Sequence, residues 1–321
     1  MNILAALGFS FRRANPSKIY VARLGGIGDI LCTTPTLAAL KRKYPRSTIT
    51  FGCSSGAFYD IIATNPNIDN FDFPSRAIIR PPKTKNILKS LIRKLSSIKT
   101  RFLLNMKYDL VVLFTIADCG FDYKNHMVDY FAEAAGVSLI RRRPLIYLNE
   151  EDEQHAIDLL DKASINSTEP FIVIFSDTDK ARYRDWDGFD QLVERIHKKY
   201  NIKILTLKPK SFNNGPVGTI RVDTTNIRVA AAIMKRCSLF IGIDGGQTHI
   251  ASAFDIKIVS IHIGYPVELC GSLSPHTKFI NNDPFLFFDN NREWEKKPIS
   301  VDRVMEQVDI SLCGIAKEII K

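Results

Sequence analysis

Short runs rich in apolar and β-branched residues alternate with amphipathic stretches along most of the chain. Residues 18–24, 47–51, 111–114, 171–175, 203–207, 239–243 and 257–262 are strand-length runs, and 30–44, 57–63, 128–135, 188–200, 227–236 and 248–254 follow them as helix candidates. An apolar run of four to seven residues without a polar alternation suits a strand buried on both faces. Within 227–236, Ile227, Ala230, Ala231 and Met234 fall at i, i+3, i+4 and i+7, one core-facing helical stripe. Pro35 sits near the first turn of its helix, where a missing amide costs little, and Asn65-Pro66 and Gly136 end two others. Strands alternating with helices predict α/β architecture, a parallel sheet covered on both faces. The polar stretches 149–154 and 164–169 interrupt the series. The expected organisation is therefore a first domain over 1–163 and a second over 164–298.

Composition narrows the class. At 321 residues, 45% hydrophobic and 24% charged, the chain can bury a large core, and no apolar run approaches the roughly 20 residues of a spanning helix. The apolar part of 1–11 precedes the pair Arg12-Arg13, the wrong order for a secretory signal, so a cytoplasmic location is expected. Cysteines 32, 53, 119, 237, 270 and 313 lie far apart with no Cys-x-x-Cys, which predicts reduced, mostly buried thiols rather than a zinc site or a disulfide framework.

The formal charge of +10 is concentrated. Segment 76–107 carries ten Lys/Arg and no Asp or Glu, and without those ten the chain has as many basic as acidic residues. Lys85, Lys89 and Arg93 stack four apart on one face while Ile87, Leu88, Leu91, Ile92, Leu95, Ile98 and Phe102 keep a helical period. Like charges at that spacing repel by about 0.2–0.5 kcal/mol per pair, which invites an anionic partner: a membrane surface or a phosphorylated acceptor. A solvated surface helix is the plain alternative. Nucleic acid is not expected, because interleaved aromatics for base stacking are missing.

Two turns carry the candidate chemistry. The run 241–253 takes a buried strand into Asp244-Gly245-Gly246 and then a small-residue helix through Gln247, Thr248 and His249, where backbone can approach a ligand closely and the first helical amides favour a diphosphate. Gly25-Gly26-Ile27-Gly28-Asp29 likewise follows a strand and opens a helix, so Asp29 should project at the strand's C-terminal edge, where open α/β sheets bind ligands. Asp29 could equally be a helix cap. These glycines do not form Gly-x-Gly-x-x-Gly, which argues against NAD. Ser176 to Thr178 closes another strand and can offer hydroxyls to phosphate, and Lys180, Arg182 and Arg184 follow it with the planar guanidinium suited to a diphosphate. The pairs Asp177/Asp179 and Asp185/Asp187 have Asp-x-Asp spacing, but such triplets arise readily by chance and no metal site is expected.

Together the motifs resemble glycosyltransferase family 9, the bacterial heptosyltransferases of the lipopolysaccharide core. The resemblance rests on three stretches in order: 19–40, with its strand, Gly-Asp turn and Thr-x-Pro helix; 171–186, similar to the family's strand, Ser/Thr loop and Lys-x-Trp; and 227–253, similar to its Asp-Ser/Thr-Gly-x-x-His-Leu-Ala segment. It implies a GT-B fold, two Rossmann-like domains facing a central cleft, with acceptor on the first and nucleotide-sugar on the second, and a C-terminal helix over 299–321 returning to the first. It also implies inverting, metal-independent transfer with no cofactor beyond the nucleotide-sugar donor, ADP-heptose being the leading choice.

Carried over residue by residue, the resemblance makes Asp29 the general base. Thr178, Arg184 and the amides of Gly245 to His249 would hold the donor diphosphate, with Ser176 and Arg182 beside them, and Asp244 would hold sugar hydroxyls. Gly26, Gly28, Lys85, Lys89 and Arg93 would face the acceptor or the inner membrane face. Three positions depart from the family pattern: Arg184 in place of Lys, Asp187 in place of Pro, and Gly245 in place of Ser/Thr, which removes a hydroxyl from the diphosphate site. Two alternatives stay open: another nucleotide-sugar for an O-antigen, capsule or glycoprotein, and a non-catalytic protein of this fold that binds membrane or nucleic acid.

Overall fold

The computed structural model describes residues 14–74, 98–114, 125–166, 168–176, 184–208, 215–224, 226–263, 266–281 and 299–313. Lys85, Lys89, Arg93, Thr178 and Arg182 lie outside them, as do Asp177, Asp179 and Lys180. The chain forms two compact units, Met1–Leu145 and Ile146–Lys321.

In the first unit β1 (Lys18–Ala22), β2 (Thr48–Gly52), β3 (Asn70–Asp72) and β4 (Leu110–Leu113) form a parallel sheet in the order β3-β2-β1-β4. The single helix expected over 30–44 is two, α1 (Ile27–Leu31) and α2 (Thr34–Lys43). Pro35 is the cause. It has no amide for the carbonyl of Leu31, and the hydroxyl of Thr34 donates to that carbonyl instead, at 2.7 Å. The short α3 (Ala57–Asp60) follows β2, and α4 (Met127–Ala135) packs against α2 and ends at Gly136, whose left-handed φ of 66° suits glycine. The described end of the basic segment, 98–107, is helical, with Leu103 and Met106 exposed among Lys99 and Lys107.

The second unit carries β5 (Phe171–Phe175), β6 (Lys203–Lys208), β7 (Ile220–Asp223), β8 (Leu239–Ile243), β9 (Lys257–His262) and β10 (Thr277–Asn281), all parallel, in the order β10-β9-β8-β5-β6-β7. Renumbered within the unit this is 3-2-1-4-5-6, the Rossmann order, with the chain reversing direction of travel between β5 and β8. Edge strands β7 and β10 were not anticipated, because their residues are largely half-buried or exposed and form no apolar run.

Two boundaries differ from expectation. Helix α5 (Glu150–Lys162), assigned above to the first domain, packs on α7 (Ile227–Arg236) of the second unit. Asp152 of α5 meets Arg228 of α7, both buried, and Glu153 meets Lys235 and Arg236. Burial alone would raise the Glu153 carboxyl, but hydrogen bonds from those two cations outweigh it and hold it below the usual range. The C-terminal α9 (Val301–Leu312), expected to return to the first domain, joins the second unit's core through Val304, Met305, Val308 and Leu312, packing on α6 (Phe189–Lys199), β9 and β10. The buried Trp186 fastens its entry, its indole N–H donating to the Ile299 carbonyl at 2.9 Å.

Among the described residues no helix is long and apolar enough to cross a membrane. Cys32, Cys53, Cys237 and Cys270 are buried free thiols and Cys313 is an exposed one; burial pushes the Cys53 and Cys237 thiols up to about 12.

Candidate active site

Each unit presents a turn where its sheet changes strand order, the position at which open α/β sheets bind ligands. In the first unit that position lies between β1 and β4. The chain leaves β1 through Arg23, whose amide still pairs with the Gly52 carbonyl at 3.0 Å, and makes the glycine turn that delivers Asp29 as the third residue of α1. One Asp29 oxygen, Oδ2, accepts the Gly26 amide at 2.7 Å; the other, Oδ1, is paired with Arg23 Nη2. Arg23 Nη1 reaches across to the Phe114 carbonyl, just past β4, at 2.6 Å, and its guanidinium lies 5.3 Å from the centre of the Phe131 ring. Arg23 is buried, while the Asp29 side chain keeps 26% of its surface open. The cap-like contact and the open carboxylate edge thus coexist.

The two glycines named with Asp29 behave differently. Gly26 is exposed and supplies the amide that Asp29 accepts; Gly28 is buried inside α1. Gly25 matters more than expected. A Cβ there would lie 2.6 Å from the Asp29 Cγ and 2.7 Å from Oδ2, so glycine is what leaves room for the carboxylate.

In the second unit Ser176 follows β5 and Asp244 follows β8, on the two sides of the strand-order change. Asp244 is 3% exposed. Arg184 Nη1 donates to its Oδ2 at 2.9 Å and approaches its carbonyl at 3.3 Å, and the Cys270 thiol lies 3.9 Å from Oδ2. The expected diphosphate ligand and the expected sugar ligand are therefore joined to each other. Helix α8 starts earlier than expected and is short, Gly246–Ser252. Gly245 is fully extended before it, at φ 172° and ψ −175°. Gly245, Gly246 and Gln247 stay partly open, but Thr248 and His249 are buried. The Thr248 hydroxyl donates to the Ile243 carbonyl at 2.7 Å, and the His249 amide points to the Gly245 carbonyl at 3.3 Å. Those two contacts brace the turn, and of the amides from Gly245 to His249 that of His249 is engaged within the helix.

Sequence reasoning missed Arg23 and Cys270. A charged residue closing a buried strand immediately before a glycine turn was the available signal for Arg23; nothing local marks Cys270, 26 residues from its neighbour Asp244. Among the described residues no group of three His, Cys, Asp or Glu side chains is arranged to hold a metal ion.

The family model of glycosyltransferase family 9 (heptosyltransferase) matches residues 96–283, more than half of the chain, including β5 to β10 and the Asp244 turn; the Asp29 turn lies before them. No curated protein matches the sequence. Among solved structures, a family 9 glycosyl transferase from Veillonella parvula superposes with a TM-score of 0.68 at 16% identity, covering 93% of this chain and 98% of that one. The ADP-heptose lipopolysaccharide heptosyltransferase II of E. coli gives 0.62 at 14% identity, covering 93% and 99%. TibC, an iron-containing dodecameric glycosyltransferase of enterotoxigenic E. coli, gives 0.61 at 14%, covering 95% and 78%. At these identities the superpositions speak for the fold, and they agree with two Rossmann-like α/β units of the GT-B class. With the family model spanning most of the second unit, the chain belongs to glycosyltransferase family 9, the heptosyltransferase family.

Proposed function

We propose that this glycosyltransferase moves a heptose from ADP-heptose to a lipopolysaccharide core or a related surface glycan, with inversion and without a metal ion. The observation that carries the reading is the open Asp29 carboxylate, held by two donors at the strand-order change of the first sheet. In the reaction the acceptor hydroxyl attacks the anomeric carbon, its proton passes to Asp29, and the bond from that carbon to the diphosphate breaks with its electron pair leaving on ADP. The sugar gains oxocarbenium character and the leaving group gains negative charge, so fixed donors at the diphosphate lower the barrier. Arg184 and the amides of Gly245 to Thr248 would supply such donors, as would Ser176, Thr178 and Arg182, and Asp244 would take sugar hydroxyls. For this Arg184 exchanges part of its contact with Asp244 for the diphosphate.

The basic segment 76–107 would meet the anionic acceptor or the inner membrane face, and the exposed Leu103 and Met106 between Lys99 and Lys107 suit an interfacial contact. A second donor reading has specific support: Gly245 lacks the hydroxyl that the family pattern supplies, and Arg184 is paired with Asp244, so a different nucleotide-sugar is the alternative.

Calorimetry with ADP, UDP, GDP, CMP and dTDP, each with and without chelator, tests the reading. Chelator-insensitive binding of ADP alone, followed by turnover of ADP-heptose on truncated lipopolysaccharide, is the expected result. Selective binding of another nucleotide replaces the donor, and binding of none favours a non-catalytic protein. Gly25→Ala provides a separate check on the base. The added methyl drives into the Asp29 carboxylate, so kcat is expected to fall about 100-fold, the usual effect of misplacing a reacting group by an ångström, with ADP affinity unchanged. Wild-type kcat in this variant would remove Asp29 from the chemistry.

A further inference from the structure

We propose that Arg23 is the positioning residue of the transfer reaction, the group that sets the plane and direction of the Asp29 carboxylate; the proposal rests on Asp29 being the base. The guanidinium is itself fixed before it touches Asp29. The Arg23 backbone amide extends the sheet to Gly52, Nη1 is tied to the Phe114 carbonyl at 2.6 Å, and Cζ lies over the Phe131 ring, 5.3 Å from its centroid. That leaves Nη2 pointing to Asp29 Oδ1, while Oδ2 takes the Gly26 amide at 2.7 Å.

Two donors on the two oxygens stop rotation of the carboxylate about its terminal bond. Asp29 sits in a helix of only five residues, too short to hold a side chain by its own packing, so the restraint has to come from neighbours. Arg23 supplies it from β4 and α4, carrying their rigidity to the base. A lysine cannot substitute, because one ammonium nitrogen lacks the planar fork that spans the Phe114 carbonyl and the carboxylate together.

The alternative is that Asp29 merely satisfies a buried arginine. Kinetics separate the two. With ADP-heptose and truncated lipopolysaccharide as substrates, Arg23→Met is expected to lower kcat about 100-fold while ADP affinity and donor KM stay within about threefold of wild type. Arg23→Lys should lose about tenfold with little change in melting temperature. Because Arg23 acts through Asp29, adding Arg23→Met to Asp29→Asn should slow the enzyme by less than about twofold more. A structural role predicts a lower melting temperature with normal kcat in the folded fraction, and that result overturns the proposal, as would losses that multiply in the double variant. If Arg23→Met does not fold, Arg23→Lys decides alone, and wild-type kcat there is fatal. Should Asp29→Asn itself turn over normally, the base reading fails; a dead Asp29→Asn with an unimpaired Arg23→Lys removes only Arg23.

Discussion

Asp29→Asn is expected to lower kcat by about 10²–10⁴, the range that a positioned general base contributes, while ADP binding stays intact. Asparagine keeps the volume of the side chain but presents one acceptor oxygen where aspartate presents two. Either Arg23 or the Gly26 amide then loses its partner, and an NH₂ group is turned toward a donor. That mismatch should cost about 1–3 kcal/mol of stability, small enough that the protein stays folded at 20 °C. Initial rates alongside a melting curve separate the effects: the rate loss must exceed anything the unfolded fraction explains. Near-normal turnover in a folded Asp29→Asn protein would end the assignment of Asp29 as base. Asp29→Ala should be as slow, since it too lacks the proton acceptor.

Central strands were the most legible part of the fold. Residues 171–175 and 239–243 are apolar without interruption because parallel strands are covered on both faces, and the structure buries them accordingly. The edges gave no such signal: β7 reads Ile-Arg-Val-Asp and β10 Thr-Lys-Phe-Ile-Asn, each with one buried residue. The polar stretch 164–169 looked like a domain boundary because its local composition is that of a loop. What binds α5 to the second unit instead is a partner 76 residues away, which no window of sequence contains. The same limit applied to the site. Asp29, Arg184 and Asp244 stood out because strand, turn and charge are adjacent in sequence. Arg23 read as the end of an apolar strand, since the carbonyl that fixes it lies 91 residues on.

Asp152→Ala is expected to destabilise the second unit by about 3–5 kcal/mol, the usual consequence of leaving one member of a buried ion pair alone. Arg228 is 8% exposed and directs both Nε, at 2.9 Å, and Nη2 to Asp152 Oδ2. The same oxygen accepts the Asn149 amide at 3.0 Å and closes the cap of α5, so the substitution also opens a helix end. For a unit of this size the melting midpoint should drop by about 10 °C. Replacing both partners, Asp152→Leu with Arg228→Met, should recover much of the loss, because two apolar groups leave no buried charge behind. Neither change should alter kcat in the folded protein. The contrast with Arg23–Asp29 is the point of the experiment: both are arginine–aspartate pairs, but the Asp152 side chain is 6% exposed while that of Asp29 keeps 26% of its surface open. Asp152 closes a helix cap against Arg228, whereas Asp29 stands at the strand-order change of its sheet with an edge open to receive a proton. A loss of kcat in folded Asp152→Ala equal to that of Asp29→Asn would break this distinction.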